Sequence, residues 1–124
     1  MTDTLLEITR ELIALRKKPS TQARFKQYPA LMQQFSDLVD QCDDVATLRQ
    51  IIELDSGYHL LAWYRQKTIE KWLSLERTPD VLRLYAMQLN LFGDVDAFGD
   101  ADTDIDDRVL ALEAEADALE KNNA

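Results

Sequence analysis

The sequence has one cysteine, three glycines and three prolines, and each of these low numbers excludes a class of protein. Cys42 alone cannot form an intramolecular disulfide, and with His59 as the only histidine the chain lacks the ligands of a His/Cys zinc site. So few glycines and prolines argue against an all-β chain with many tight turns. The 124 residues therefore predict a single helical domain.

The sequence also lacks a long hydrophobic run. Its apolar stretches are far shorter than the roughly 20 residues of a membrane-spanning helix, so we expect no membrane partner. The first residues, MTDTLLEITREL, carry acidic side chains where a secretory signal carries basic ones, and their apolar residues are interrupted. We therefore expect a cytoplasmic protein.

Negative charge is concentrated in the last third of the chain. Residues 79–124 contain three basic and twelve acidic residues, whereas residues 1–78 contain eleven of each, so the net charge of -9 comes from the last third. Residues 10–26 form a basic stretch. The acidic part could stay in solvent or contact a basic surface, which could belong to the N-terminal stretch, a second copy or a cationic partner. Because the acidic part would repel phosphates, we expect no nucleic-acid partner.

Apolar residues recur at steps of three and four along most of the chain, which predicts amphipathic helices. Pro29 should begin a helix, because a proline inside a helix removes a hydrogen bond and clashes with the preceding turn. Asp43 or Asp44 can cap a helix. Thr78 and Pro79 are typical of an N-cap and a first helical position, and Ser56 with Gly57 indicates a break. The predicted helices cover residues 3–18, 29–41, 44–55, 58–76, 79–92 and 105–121, with a short one after Ser20.

These patterns predict an all-α protein, either a compact bundle or a helical-hairpin stack of five or six helices. Residues 1–93 should form a helical core, and residues 94–104, with five aspartates and no basic residue, should form an acidic loop. The apolar stripe of residues 105–121 should pack as an amphipathic C-terminal helix on the same domain. Helix 79–92 is apolar on most sides, so we expect it at the centre of the core.

One aromatic side chain lies off the main apolar face of its helix. On a helical wheel, Trp63 points nearly opposite to Leu61 and lies beside Leu60 and Lys67. This second patch could pack against another helix, or it could be an exposed recognition site, because exposed aromatic residues often mark interfaces. Leu60, Trp63 and Lys67 are therefore the candidate interaction residues.

The run TIEKWLSLERTPDVLRLYAMQLNLFGDVDAF, residues 68–98, resembles the tetratricopeptide repeat. The positions of that repeat's first helix and turn are occupied by Leu82, Tyr85, Ala86, Leu89, Gly93 and Asp94. Phe98 departs from the pattern, which has a small residue in its second helix, and no second copy follows at a period of about 34 residues. The resemblance implies a helical hairpin stack of the kind that binds peptides or proteins.

Residues 102–113, DTDIDDRVLALE, place acidic side chains at four positions of an EF-hand calcium loop. Asp107 stands where that loop needs a glycine, and the apolar repeat from Ile105 predicts a helix instead. Specific calcium binding, weak cation condensation and a solvated acidic loop all stay open. The four positions, the first, third, fifth and twelfth of the loop, hold Asp102, Asp104, Asp106 and Glu113.

The sequence offers little for catalysis. It contains no glycine-rich phosphate loop, no G-x-S-x-G and no two-histidine metal motif. Asp55 could pair with His59 one turn away, but this is also an ordinary surface pair. Asp43 and Asp44 beside Cys42 do not favour a reactive thiolate. We therefore expect no enzyme activity, no cofactor and no bound metal.

The sequence thus favours a small cytoplasmic protein-interaction module, an adaptor or scaffold, whose partner is another protein with a basic surface. Two alternatives remain. The first is a cation-responsive regulator whose acidic residues 94–113 bind calcium. The second is a structural subunit that associates with itself, for example as a homodimer.

Overall fold

Six helices and one two-stranded antiparallel sheet form the described part of the chain. The computed structural model describes residues 2–17 and 22–123. The predicted all-α fold is confirmed, and within the described ranges no helix is both long and apolar enough to cross a membrane. The elements are α1 (Thr2–Lys17), α2 (Gln22–Gln41), α3 (Val45–Leu54), α4 (Ala62–Leu75), α5 (Pro79–Phe92), β1 (Asp94–Val95), β2 (Ala101–Asp102) and α6 (Asp106–Asn123).

The starts of α3 and α5 follow from local sequence signals. Asp44 caps α3, where its Oδ1 accepts a hydrogen bond from the backbone N of Ala46 at 3.2 Å. Thr78 caps α5, where its Oγ1 accepts from the backbone N of Val81 at 3.4 Å, and Pro79 is the first helical residue. Both predicted starts are confirmed.

Gly93 ends α5, as predicted. Its φ of 77° lies in the left-handed region, and its N–H donates to the carbonyl of Leu89 at 2.7 Å. A Cβ at this position would lie 2.8 Å from the carbonyl oxygen of Asp102. Gly93 therefore ends the helix and also lets β2 approach the chain closely.

The predicted helix boundary at Tyr28 and Pro29 is wrong, because α2 continues through Pro29. A proline inside a helix costs about 3 kcal/mol. Tyr28, Leu31 and Met32 are partly buried against the core on this stretch, and their packing offsets that cost. The predicted helix end at Lys18 and the helix start at Ser20 lie outside the described residues.

The break at Ser56 and Gly57 is confirmed, but α4 begins four residues later than predicted, at Ala62 rather than at Tyr58. The φ of Tyr58 is 57°, which is incompatible with a right-handed helix. A turn and a short irregular segment therefore separate α3 from α4.

Helix α5 packs between α4 and α6, but the prediction that it lies at the centre of the fold is wrong, because α4 has more neighbours and packs against α2, α3, α5 and β1. This arrangement confirms that the helix is buried on more than one side. α6 packs along α5 through Val109 and Ala116, and Ile105 is buried just before α6 begins. The buried residues of α5 are Val81, Leu82, Tyr85, Ala86, Gln88 and Leu89.

Residues 94–104, expected to form an acidic loop, contain a short β-hairpin. Asp94 pairs with Asp102, and Val95 pairs with Ala101. After Gly93 the segment that resembles a tetratricopeptide repeat therefore continues into β1 rather than into a helix.

Candidate interaction groove

A surface depression of about 390 Å³ lies where the hairpin meets the helices. We call it the hairpin groove. Its walls come from the N-terminal end of α4, the C-terminal end of α5, one residue of α2 and the hairpin. The lining residues are almost all apolar or aromatic: Met32, Leu61, Ala62, Trp63, Tyr64, Phe92, Val95, Ala97, Phe98, Gly99 and Ala101.

Phe98 is the most exposed large apolar side chain among the described residues, with 91% of its surface in solvent. It lies in the turn of the hairpin, where Asp96 Oδ1 accepts hydrogen bonds from the backbone N of Phe98 at 2.8 Å and of Asp100 at 3.0 Å. Gly99, with φ 83°, donates its N–H to the carbonyl of Asp96 at 3.0 Å. Burying such a ring would contribute about 1.5–3 kcal/mol of favourable free energy, and the isolated chain leaves the ring exposed.

The hairpin has an apolar face and an acidic face. Successive residues of a strand point to opposite sides, so the paired Val95 and Ala101 share one face and the paired Asp94 and Asp102 share the other. Val95 and Ala101 line the hairpin groove. The acidic face lines a separate depression formed mainly by Asp94, Asp96, Asp100 and Asp102.

The structure places two of the three predicted interaction residues at or beside the groove. Trp63 is partly exposed and lines it, and the Lys67 ammonium lies 5.4 Å from the centroid of the Trp63 ring. Lys67 also forms an ion pair with Asp40 at 2.7 Å. Leu60, in contrast, is only 5% exposed and belongs to the core. A partner could therefore contact Trp63 and Lys67 but not Leu60.

A buried carboxylate holds the segment that leads into α4. Asp55 Oδ1 accepts hydrogen bonds from the backbone N of His59 at 2.6 Å and of Leu60 at 2.9 Å. Its Oδ2 and its backbone carbonyl each accept from Arg65 Nη1 at 3.1 Å. Both Asp55 and Arg65 are buried. Each oxygen of the Asp55 carboxylate thus has a donor, as a buried charge requires.

The same arginine links α4 to α5. Arg65 Nε donates to Gln88 Oε1 at 3.1 Å, and Gln88 Nε2 donates to the carbonyl of Ala62 at 3.3 Å. The guanidinium carbon of Arg65 lies 4.4 Å from the centroid of the Tyr58 ring. These contacts fix the chain on both sides of Leu61. The α4 wall of the groove is therefore formed before any ligand arrives.

The hairpin is fixed to the helices by one buried amide and one arginine. Gln66 Nε2 donates to Asp94 Oδ1 at 2.8 Å, and Gln66 Oε1 accepts from the backbone N of Val95 at 2.9 Å. Arg108 Nη1 donates to Asp94 Oδ2 at 2.6 Å. The hydrogen bond from Arg108, followed by that from Gln66, lowers the pKa of Asp94 below its usual value.

Arg108 also reaches Tyr85, whose hydroxyl donates to Glu70 Oε2 at 3.0 Å. Burial, and then the negative charge of Glu70, raises the pKa of Tyr85 to about 12. The Tyr85 hydroxyl therefore keeps its proton at neutral pH and can serve as a hydrogen-bond donor to Glu70.

Carboxylates of α6 pair with arginines near the start of α5. Arg77 Nη2 donates to Glu115 Oε1 at 2.8 Å, and Arg83 Nη2 donates to Asp117 Oδ1 at 2.9 Å. The Nη1 of Arg83 donates to Glu120 Oε1. Hydrogen bonds from Arg77 and Arg83 lower the pKa values of Glu115 and Glu120 respectively. We call these contacts the α6 ion pairs.

Cys42 and Asp55, two of the residues considered for catalysis, are held by contacts within the fold. Cys42 is buried, and its Sγ donates to the backbone carbonyl of Asp44 at 3.6 Å. Asp55 bonds the backbone N of His59 and the side chain of Arg65. In the ranges that the structure covers, no three of the His, Cys, Asp and Glu side chains are grouped so that they could hold a metal ion.

The calcium alternative requires residues 102–113 to wrap around one ion. Residues 106–113 are instead the first two turns of α6, as the apolar repeat predicts. Asp102 Oδ1 accepts a hydrogen bond from the backbone N of Asp104 at 3.0 Å, just before that helix. Glu113 is thereby placed in the helix rather than at the end of a loop.

A second depression, of about 460 Å³, lies between α1 and α2. None of the described residues that line it is aromatic. The hairpin groove is the better candidate because it contains Trp63 and Phe98. The lining of the second depression is Glu11, Ala14, Leu15, Gln27, Ala30 and Leu31.

No protein-family model, no curated protein and no solved structure matches this chain. The resemblance of residues 68–98 to the tetratricopeptide repeat stays a prediction. Function is therefore inferred from the groove, from the contacts that hold it and from the charges around it.

Sequence reasoning missed the hairpin and the exposure of Phe98, although a signal was present. Asp96 and Gly99 are the first and fourth residues of the run DAFG, and these residue types are favoured at those two positions of a type I turn. The turn places Phe98 at an exposed tip. Periodicity could not reveal this, because the two strands are only two residues long.

Proposed function

We propose that the chain is a small cytoplasmic protein-interaction module, an adaptor or scaffold that acts without catalysis, and that the hairpin groove is its contact surface. The observation that carries this proposal is the 91% exposure of Phe98 in a turn that its own hydrogen bonds hold in place. When another surface covers a large ring that was in water, the free energy of the system falls.

The lining of the groove supports the same proposal. Trp63 and Phe98 are both aromatic, and buried aromatic anchors supply much of the affinity of protein interfaces. A volume of about 390 Å³ is sufficient for one or two side chains of a partner segment. The groove therefore suits apolar side chains presented by another protein.

Preorganisation is the third support. Asp55, Arg65 and Gln88 hold the α4 wall, and Gln66 holds the base of the hairpin. A surface that is already ordered loses little conformational entropy on binding. Such a groove can retain affinity with a small contact area.

The test compares two exposed apolar side chains. Phe98→Ser changes the groove, whereas the control Leu110→Ser changes a 63% exposed residue of α6 that does not line the groove. Tagged variants are used to capture proteins from the native cells, and the captured proteins are quantified by mass spectrometry.

We expect Phe98→Ser to reduce at least one captured protein by about tenfold or more, as for other aromatic anchors, and Leu110→Ser to leave it unchanged. Thermal unfolding should be the same for both variants, since neither side chain is buried. Equal capture by the wild type and both variants would show that the groove is not the contact surface.

A further inference from the structure

The charges around the hairpin groove are not balanced. Asp96, Asp100, Asp102 and Asp104 are exposed, and none of them forms an ion pair with a described residue. Arg108, the arginine that reaches the hairpin, pairs with Asp94. We call the four unpaired residues the hairpin carboxylates.

Among the described residues, the other cations near the groove and along α5 do not compensate for this charge. Lys67, the basic residue beside Trp63, pairs with Asp40 at 2.7 Å. Arg77 and Arg83 pair with carboxylates of α6. Every one of these cations already has an anionic partner, so a ligand at the groove meets a net negative field.

The hairpin carboxylates lie close enough to act on a ligand in the groove. Asp96 and Asp100 are each two residues from Phe98, and neighbouring Cα atoms are about 3.8 Å apart. Asp102 belongs to the opposite face of the hairpin, but it follows Ala101, which lines both the groove and the acidic depression. These separations are within the Debye length of about 8 Å at physiological salt, so the charges are incompletely screened.

Resting on the function proposed above, we infer that the occupant of the groove is a segment of a partner protein in which lysines or arginines flank an apolar side chain. The apolar side chain packs between Trp63 and Phe98. The flanking cations extend past the edge of the hairpin towards Asp100 and Asp102, which line the neighbouring depression that shares Ala101 with the groove. An apolar surface bordered by unpaired carboxylates is complementary to this chemistry and opposed to an acidic segment.

The experiment begins with a library of random twelve-residue peptides displayed on phage and selected on the wild-type protein. The best selected peptide is then synthesised and titrated into Phe98→Ser and into three further proteins. One is the wild type. The second is the hairpin double variant Asp100→Asn with Asp102→Asn, and Asn at 102 can still accept the hydrogen bond from Asp104.

The third protein is a control with the same change of net charge. Glu53→Gln and Asp80→Asn neutralise two exposed carboxylates that do not line the groove and form no ion pair with a described residue. Asp80 lies in the first turn of α5, whereas Phe92, at the other end of that helix, lines the groove. At about 1.5 Å per residue the two are roughly 18 Å apart, beyond the Debye length.

We expect the selected peptides to share an apolar residue flanked by lysine or arginine. Binding should weaken by about tenfold in the hairpin double variant, since it removes two partly screened charge pairs, and should be unchanged in the control. It should also weaken as salt is raised from about 50 to 500 mM, and Phe98→Ser should abolish it.

Three results would overturn the inference. If the selected peptides lack cations but still need Phe98, the groove function stands and its charge preference is wrong. If cationic peptides bind Phe98→Ser as well as the wild type, only the charge attracts them and the groove function fails too. If the protein alone sediments as a dimer that Phe98→Ser dissociates, the occupant is a second copy of this chain.

Discussion

Near the start of α5, carboxylates of α6 meet arginines, whereas beyond its last turn the hairpin carboxylates meet no cation among the described residues. Glu115, Asp117 and Glu120 pair with Arg77 and Arg83. The hairpin, in contrast, has only the pair between Arg108 and Asp94. Both regions belong to the acidic last third of the chain, yet only the hairpin keeps most of its charge unpaired.

The two regions differ in apolar surface as well as in charge. α6 buries Val109 and Ala116 against α5 and reaches across it with exposed ion pairs. The hairpin buries Val95 but leaves Phe98 in solvent beside an apolar groove. The contacts of α6 are thus suited to stabilising the fold, and the exposed groups of the hairpin are suited to binding another molecule.

The largest effect should come from removing a buried charge behind the groove. Arg65→Met leaves the carboxylate of Asp55 buried without its cation, and such a change costs about 3–5 kcal/mol. Arg83→Met, which removes exposed pairs of α6, should cost much less. Urea unfolding of both variants measures the difference. If both variants lose the same free energy of unfolding, the buried Arg65 contacts stabilise the fold no more than the exposed α6 ion pairs do.

Helix ends were predictable where a few neighbouring residues decide them. Thr78 with Pro79 starts α5, and Gly93 ends it, because capping and backbone geometry are local. Pro29 shows the opposite case. Its local cost was clear, but the packing of Tyr28 and Met32 that outweighs it depends on distant parts of the chain.

A smaller effect is expected at Trp63, because part of its ring is in solvent. Trp72 is 8% exposed, so Trp72→Ala should lower the free energy of unfolding by about 3–5 kcal/mol. Trp63→Ala should cost about 1–2 kcal/mol, mainly through lost contacts with Tyr64 and Lys67. Chemical denaturation of the two variants compares them directly. Equal losses would assign Trp63 to the core rather than to a recognition surface.

The smallest effect should be the pH dependence of the stability that Asp94 contributes through the hairpin. The folded pKa of Asp94 is below its usual value of 3.8, so its stabilisation is complete above the unfolded pKa and is lost as the pH falls through the folded pKa. Wild type should exceed Asp94→Asn in stability by less than about 1 kcal/mol at pH 7, since the pair is partly exposed. The difference should shrink below pH 3.8, measured by urea unfolding from pH 7 to 3. A difference independent of pH would show that Arg108 does not act on the ionised carboxylate.

The candidate site was only partly predictable, because some of its features are local in the sequence and others depend on contacts between distant residues. A helical wheel placed Trp63 off the main apolar face, because side-chain direction along one helix is local. The groove needed more: the contacts of Asp55 with Arg65, and of Gln66 with the hairpin, join residues from different elements. Leu60 was selected for its place beside Trp63 on the wheel, but it lies before α4 begins, where Asp55 holds its backbone.

If another protein covers Phe98 at the hairpin groove, the two must come within crosslinking distance. The most direct measurement replaces Phe98 with the photo-crosslinking residue p-benzoylphenylalanine in the native cells, with the same residue at Leu110 of α6 as the control. Irradiation should join position 98 to one or a few defined proteins, and position 110 should not yield them. The absence of any adduct at position 98, or the same adducts at both positions, would contradict this prediction.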